Sequence, residues 1–271
     1  MIHSITDGSR LISMKPTVSV VMPTRGRHAL VERAITSVLK QTFTHFELLI
    51  LDHSSPNEGE EIRKVSAADS RINYLDRGNI GLTPARKLGA DLAVGKLLAL
   101  MDSDDFWAPE RLERHVEVWN HNLIGLSWDR WARSYENGRS VFPQPFSPGL
   151  IPAPKVAMKL YSWNFIHASA GIVSTDFARK EGFPILEITS SDWPLFITAA
   201  ETYPSYFIGD TLSYADETSP ERVTNAISRK HFLREERMVR RWFLTNRPGT
   251  YAIPYLKTKL NRIRRKTQPR N

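Results

Sequence analysis

Residues 17–22 read Thr-Val-Ser-Val-Val-Met and stop at Pro23-Thr24-Arg25-Gly26-Arg27. A short β-branched run closed by Pro and Gly predicts a buried strand. Helical spacing follows over 28–40, with Leu30, Ala34, Val38 and Leu39 on one face. The alternation then repeats: strand over 46–51, helix over 58–68, strand over 71–75, helix over 83–94 and strand over 97–101. Strands separated by helices predict a parallel sheet with helices on both faces.

Beyond residue 120 the pattern changes. Residues 123–135 alternate as a strand does and run into Glu136-Asn137-Gly138, a hairpin turn signal. Pro143, Pro145, Pro148, Pro152 and Pro154 follow within twelve residues, which excludes a helix or a central strand there. That stretch predicts an ordered loop crossing the body or a flexible flap. Further elements are expected as helix over 155–163, strand over 169–174, helix over 192–201, strand over 205–214 and helix over 221–242. Residues 255–265 read as a basic helix or a disordered arm. No internal repeat is present.

The 271 residues are enough to bury a sizeable core, and 41% hydrophobic with 24% charged residues is ordinary for a globular protein. The absence of cysteine excludes disulfides and thiolate metal sites. Residues 1–15 lack the apolar core of a signal peptide, and no run reaches the ~18 apolar residues of a membrane span. A soluble, cytoplasmic protein is the expectation. The net charge of +8 is uneven: residues 229–271 hold 14 Lys and Arg against 2 Glu, a net of +12, which leaves −4 for the first 228. A basic segment of this kind points to an anionic surface. Lipid headgroups would place the protein at the inner face of the membrane; nucleic acid is disfavoured because no recognition motif accompanies the charge. A solvated arm is the plain alternative.

The densest chemistry lies where Leu97-Leu98-Ala99-Leu100-Met101 meets Asp102-Ser103-Asp104-Asp105. Ligands of open α/β sheets sit beyond the carboxyl ends of the strands. Clustered carboxylates there repel one another unless a cation holds them, and Mg²⁺ or Mn²⁺ bound so commonly completes its shell with substrate phosphates. The alternative is an acidic turn, with Asp105 or a neighbour capping a helix that begins near Pro109.

The order of motifs resembles glycosyltransferase family 2. The resemblance rests on residues 18–24, on Ala34-Ile35-Thr36-Ser37-Val38-Leu39-Lys40-Gln41-Thr42-Phe43, on Phe46-Glu47-Leu48-Leu49-Ile50-Leu51-Asp52, on Asn79-Ile80-Gly81, Ala85-Arg86 and Gly89, and on residues 100–112. It implies an α/β GT-A (nucleotide-diphospho-sugar transferase) fold, a mostly parallel sheet flanked by helices with a C-terminal helical extension. The chain would divide into an N-terminal extension (1–16), a catalytic domain (17–220) and a basic helical tail (221–271). Within the domain, 17–120 would form the nucleotide-binding half and 121–220 the acceptor half.

The same resemblance implies an inverting, metal-dependent transfer from a nucleotide sugar to an acceptor hydroxyl, on a surface glycan or lipid-linked saccharide. Asp104 would bind Mn²⁺ or Mg²⁺, while Asp102 and Ser103 would contact the nucleotide. Asp105 would be a helix N-terminal acid. Pro23, Thr24, Arg25 and Asp52 would line the nucleoside, and Arg86 would lie near it or else be a surface arginine. His53 stands where relatives carry a second acid able to accept the uracil N3 hydrogen, so a UDP donor is only weakly favoured. Asp192, in Ser190-Ser191-Asp192-Trp193-Pro194, is the candidate base, with Ser191 in place of the usual Glu; helix capping is its alternative role. His167 and Trp107 are candidates for the acceptor or donor pocket, and Trp128, Trp131 and Trp163 suit either sugar stacking or the core. Arg240-Arg241-Trp242 is similar to part of a motif of processive members, but Met238 occupies the glutamine position. A catalytically silent nucleotide-sugar- or surface-binding module is the alternative function.

Overall fold

The computed structural model describes residues 15–26, 28–54, 59–185, 187–218 and 228–252. The expected helix over 221–242 is described from residue 228 on, and the arm over 255–265 lies outside the described residues.

The first half alternates as its hydrophobic pattern requires: β1 (Val18–Thr24), α1 (His28–Leu39), β2 (Phe46–Asp52), α2 (Gly59–Ser66), β3 (Ile72–Asp76), α3 (Leu82–Leu92) and β4 (Leu97–Leu100). The second half adds β5 (Phe106–Trp107), α4 (Arg111–His121), β6 (Leu126–Tyr135), β7 (Gly138–Val141), β8 (Gly149–Ile151) and α5 (Lys155–Ser162). It closes with β9 (Gly171–Ser174), α6 (Thr175–Glu181), α7 (Asp192–Thr202), β10 (Ser205–Asp216) and α8 (Arg229–Asn246). All strands join one sheet in the order β3-β2-β1-β4-β9-β6-β10-β5, with β7 beside β6 and β8 beside β10. The β3-β2-β1-β4 half is parallel, whereas β9 runs antiparallel to both β4 and β6. The hairpin signal at Glu136 joins β6 to β7. β8 sits between Pro148 and Pro152 and takes only β10 as partner, which is where prolines permit pairing.

Continuous apolar strands need cover on both faces, and two cores supply it. Val18, Val20 and Met22 of β1 pack with Val31, Ala34, Ile35 and Val38 of α1. Val21, on the opposite face, joins Ala85 and Ala90 of α3 in a core that extends through Leu160, Phe196, Val239 and Phe243. A Cβ on Gly89 would lie 2.3 Å from Val21 Cγ1, so glycine is what lets α3 lie flat on β1. That contact sets the height of the α3 side chains over the sheet edge. α8 is docked rather than extended: Phe243 and Tyr251 pack on Tyr161, with the Tyr161 and Tyr251 rings 4.7 Å apart.

Beneath the second half lies a wholly buried polar network. Arg111 Nε donates to Asp129 Oδ2 at 2.8 Å and to Ser213 Oγ at 2.9 Å, while His115 bonds Ser127 Oγ and Asp129 Oδ2 at 2.7 and 3.0 Å. Burial, helped by the Arg111 charge, lowers the pKa of His115 from its ordinary 6.5 to about 4. Between those two pH values the unfolded chain binds a proton that the folded chain refuses, so stability falls as pH drops across that window. Urea unfolding from pH 7 to pH 4 is expected to show this loss, up to about 3 kcal/mol from this one group. His115→Gln should flatten that part of the profile; an unchanged slope would exclude His115 as its source.

Candidate active site

The β1–β4 register ends at Val21↔Leu100, while β1–β2 pairing continues to Thr24↔Asp52. After β1 the chain builds β2 and β3 on one side and β4 on the other, so the strand order reverses between β1 and β4. A crevice at such a reversal, beyond the strand carboxyl ends, is where open α/β sheets bind nucleotides. Thr24, Asp52 and the acidic turn after Met101 all fall on that edge.

The nucleoside-side candidates form one stitched group. His53 N–H donates to the Thr24 carbonyl at 2.9 Å, and Gly26 N–H donates to Ser54 Oγ at 2.7 Å. Asp52 accepts from Ser54 N–H at 2.9 Å and from the Tyr74 hydroxyl at 2.7 Å. Burial, reinforced by the Asp52 carboxylate, pushes the Tyr74 phenol up and keeps it a donor. Pro23, Thr24, Asp52 and His53 are buried, and Arg25 is exposed at the rim. Tyr74 was not evident from the sequence; its position on β3 opposite Ile50 of β2 is what brings it to Asp52.

The second group surrounds Arg86. Thr83, Arg86, Gly89 and Ala90 make the buried face of α3, so Arg86 points inward at the sheet edge and is only 2% exposed. Its Nη2 donates to Asp102 Oδ1 at 2.6 Å, and its Nη1 reaches Ser191 Oγ at 3.1 Å and Asp192 Oδ1 at 3.4 Å. Arg86 is thus an internal bridge between the two acids, not a surface arginine. Burial lifts the Asp192 carboxyl above the ordinary carboxylate range, opposed by Arg86 and reinforced by Asp102. Asp192 is the first residue of α7, and Ser191 before it makes no side-chain cap bond.

Asp105 occupies a different place from the one expected. α4 begins at Arg111, with β5 intervening, so Asp105 is not an N-terminal helix acid. Its carboxylate is wholly buried and accepts from Ser169 Oγ at 2.5 Å, while Ser169 Oγ also accepts from the Asp102 N–H at 3.0 Å. His167 Nδ1 lies 3.3 Å from Asp105 Oδ2 and also accepts from the Ser169 N–H. One ring nitrogen cannot donate and accept at once, so His167 Nδ1 serves either as acceptor from Ser169 or, carrying a proton, as donor to Asp105. Burial pushes Asp105 up to about 7; His167 opposes this, and Asp104 and Asp102 add to it. Ser169, missed in the sequence because an isolated serine carries no spacing signal, is the joint of this cluster.

Among the described residues, Asp102, Asp105 and His167 offer ligand atoms all within 4.8 Å of one another. Asp105 Oδ1 is buried without a hydrogen-bond partner. Two carboxylates and an imidazole, with one oxygen unused, fit a hard divalent cation. Asp104 and Ser103 are buried in the same turn, and the Asp104 carbonyl accepts from Arg33 at 2.9 Å; Asp104 is not part of the trio. Trp107 corrects its expectation: it is 4% exposed, donates Nε1–H to the Ser169 carbonyl at 2.8 Å, and lies under the Arg111 guanidinium at 4.1 Å. No sugar can reach its face. Trp128 is likewise buried, stacked on Phe207, whereas Trp131 stacks on Phe142 at 4.2 Å and flanks His167 at 4.9 Å.

The family model for glycosyl transferase family 2 matches residues 19–176. The chain belongs to glycosyltransferase family 2. An uncharacterized glycosyltransferase of Rickettsia felis is 34% identical over 138 residues, 50% of this chain and 23% of that protein. The Escherichia coli UDP-Glc:alpha-D-GlcNAc-diphosphoundecaprenol beta-1,3-glucosyltransferase WfgD is 31% identical over 131 residues, 47% of this chain and 51% of its own. The chain therefore matches from about a quarter to half the length of these relatives. S. aureus TarS 1–349 in complex with UDP-GlcNAc superposes with a TM-score of 0.67 at 20% identity, over 85% of this chain and 67% of that one. The mannosyltransferase PcManGT from Pyrobaculum calidifontis, in complex with GDP-Man and Mn²⁺, gives 0.58 at 16% identity over 79% and 60%. The fold is the GT-A type.

Arg86→Met would leave the buried Asp192 and the partly exposed Asp102 without their shared cation. Breaking such a pair costs about 3–5 kcal/mol, so urea unfolding should show a loss of that order, and Arg86→Lys should recover less than half because a point charge cannot fork to both acids. A wild-type midpoint for Arg86→Met would remove this residue from that role.

Proposed function

We propose that this chain transfers a sugar from a nucleotide-sugar donor to an acceptor hydroxyl with inversion, in the making of a bacterial surface polysaccharide. The carrying observation is the Asp102–Arg86–Asp192 bridge, which ties the acid on the diphosphate side to the acid on the acceptor side of one crevice. Pro23, Thr24, Arg25, Asp52 and His53 would hold the nucleoside, and Asp102 and Ser103 the ribose. Asp192 accepts the proton of the acceptor hydroxyl as its oxygen bonds the anomeric carbon, while the opposite carbon–oxygen bond breaks and the nucleoside diphosphate leaves. A base must be ionised yet basic enough to take a proton near neutral pH. Burial supplies the basicity, and the adjacent guanidinium favours the ionised form. Mn²⁺ or Mg²⁺ at Asp102, Asp105 and His167, with Asp104 beside them, would neutralise the charge growing on the leaving diphosphate.

UDP-GlcNAc in TarS and UDP-Glc in the name of WfgD support a UDP-sugar as the first donor to try, and the diphosphoundecaprenol in that name supports a lipid-linked acceptor. Asp192→Asn is expected to keep Mn²⁺-dependent UDP binding by calorimetry and to lose at least about 100-fold in transfer, the usual scale for a positioned base. Asp105→Ala and Asp104→Ala, compared in the same Mn²⁺ titration, separate the two candidate ligands: loss of binding in the first alone would fix the cation at the trio. Binding of UDP with no sugar release from any donor of a UDP, GDP, dTDP and CDP panel would instead make the chain a silent binding module.

No helix of the described residues is long and apolar enough to cross a membrane. A peripheral contact has a candidate in α8, whose outer face exposes Lys230, Leu233, Arg234, Arg237 and Arg241 at helical spacing. Each cation near an anionic bilayer is worth about 1 kcal/mol. The triple variant Arg234→Glu, Arg237→Glu, Arg241→Glu should therefore lower affinity for phosphatidylglycerol vesicles at least about tenfold in co-sedimentation. No binding by the intact chain at low salt would end the membrane reading.

A further inference from the structure

The turn that delivers Asp192 is held from outside its own helix. On one side stands α3: Thr83 Oγ1 donates to the Ile188 carbonyl, and Arg86 Nη1 reaches the Thr189 carbonyl at 3.4 Å and Ser191 Oγ at 3.1 Å. On the other side stands Glu235 of α8, 3% exposed, on the inner face of that helix. Its Oε1 accepts from Thr189 N–H at 2.6 Å and Thr189 Oγ1 at 2.9 Å. Its Oε2 accepts from Ser190 N–H at 3.2 Å and Ser190 Oγ at 2.6 Å. His231, one turn earlier, comes within 2.9 Å of Oε1.

A carboxylate is costly to bury, and its burial acts against ionisation here too; the bonds from Ser190 and Thr189 more than offset it and hold Glu235 below the ordinary range. Apolar packing of Val239 and Phe243 already docks α8 on the core. Four of the five donors around Glu235 come from the two residues that precede Ser191 and Asp192. Ser191 makes no side-chain cap of its own. The turn that leads into α7 is therefore held by side chains from α3 and α8 as well as by its own backbone bonds.

We infer that Glu235 is a positioning residue for the transfer reaction: through the Thr189–Ser190 turn it fixes the place of the Asp192 carboxylate, which makes α8 part of the catalytic unit. This rests on the reading of Asp192 as the base. Catalytic groups must be held within a few tenths of an ångström to ~0.5 Å of their working geometry, so a loosened turn should cost turnover more than donor binding.

The test uses the full chain with Glu235→Ala and Glu235→Gln. Hydrogen exchange by mass spectrometry over residues 187–193 is expected to accelerate at least tenfold for Glu235→Ala, with residues 239–246 still protected. Equal acceleration of both segments would make Glu235 a mere docking residue and overturn the inference; so would unchanged exchange over 187–193. In steady-state transfer, kcat should fall at least tenfold with donor KM within threefold. Glu235→Gln should lie between, since its one remaining oxygen still accepts from Thr189. A wild-type kcat for Glu235→Ala would also overturn it. If Asp192→Asn transfers at the wild-type rate, the base reading fails by itself, and the exchange experiment still decides whether Glu235 fixes the turn.

Discussion

Carboxylates from distant parts of the chain converge at one sheet edge, and their mutual repulsion must be offset before the fold can close. Arg86 does this for two of them. Its planar fork serves Asp102 with one nitrogen and the Ser191–Asp192 pair with another, a geometry a lysine cannot reproduce. The fork reaches both sides because α3 lies flat on β1, and α3 lies flat because Gly89 removes the atom that would collide with Val21. A packing constraint in the core thus determines the charge distribution at the site.

A second joint carries the acidic turn into the other half of the sheet. The Ser169 hydroxyl holds Asp102 and Asp105, and the Ser169 carbonyl accepts from Trp107 Nε1 at 2.8 Å and from Ser213 Oγ at 3.0 Å. Ser213 in turn bonds Asp129, the partner of Arg111. Arg111 has no hydrogen-bond partner at either terminal nitrogen, and the Trp107 ring covers its carbon centre at 4.1 Å. A buried guanidinium favours an aromatic face when acceptors run out. This explains why Trp107 is committed to the core.

Local pattern carried most of the elements. Strands β1 to β4 and their helices are legible because apolar runs and helical stripes are properties of neighbouring residues. Asp102, Asp52 and Asp192 are legible because they stand at element ends, where position alone implies the sheet edge. Arg86 was ambiguous: nothing in Ala85-Arg86 says that residue 192, 106 positions away, will meet it. Ser169, Tyr74 and Glu235 carry no spacing signal at all, since their meaning comes from cross-strand register or from helix docking. Asp105 is not legible as a core residue, because the helix after it starts later than Pro109 suggests and the two-residue β5 is too short to leave a periodic trace.

The partition of charge distinguishes this cluster from an ordinary acidic turn. Arg86 is shared by Asp102 and Asp192, and Arg33 donates to the Asp104 carbonyl while pairing with Asp216 at 2.5 Å. Asp105 is left to His167 and Ser169, wholly buried, with its pKa raised to about 7 and one oxygen that no donor fills. A purely structural carboxylate in that position would be expected to gather donors, as Glu235 does with five contacts in a comparable degree of burial. The contrast between the two buried acids is physical: Glu235 is saturated and its pKa is lowered, Asp105 is undersupplied and its pKa is raised. Saturation suits a residue that holds a turn in place, and undersupply is consistent with the cation-ligand role proposed for Asp105.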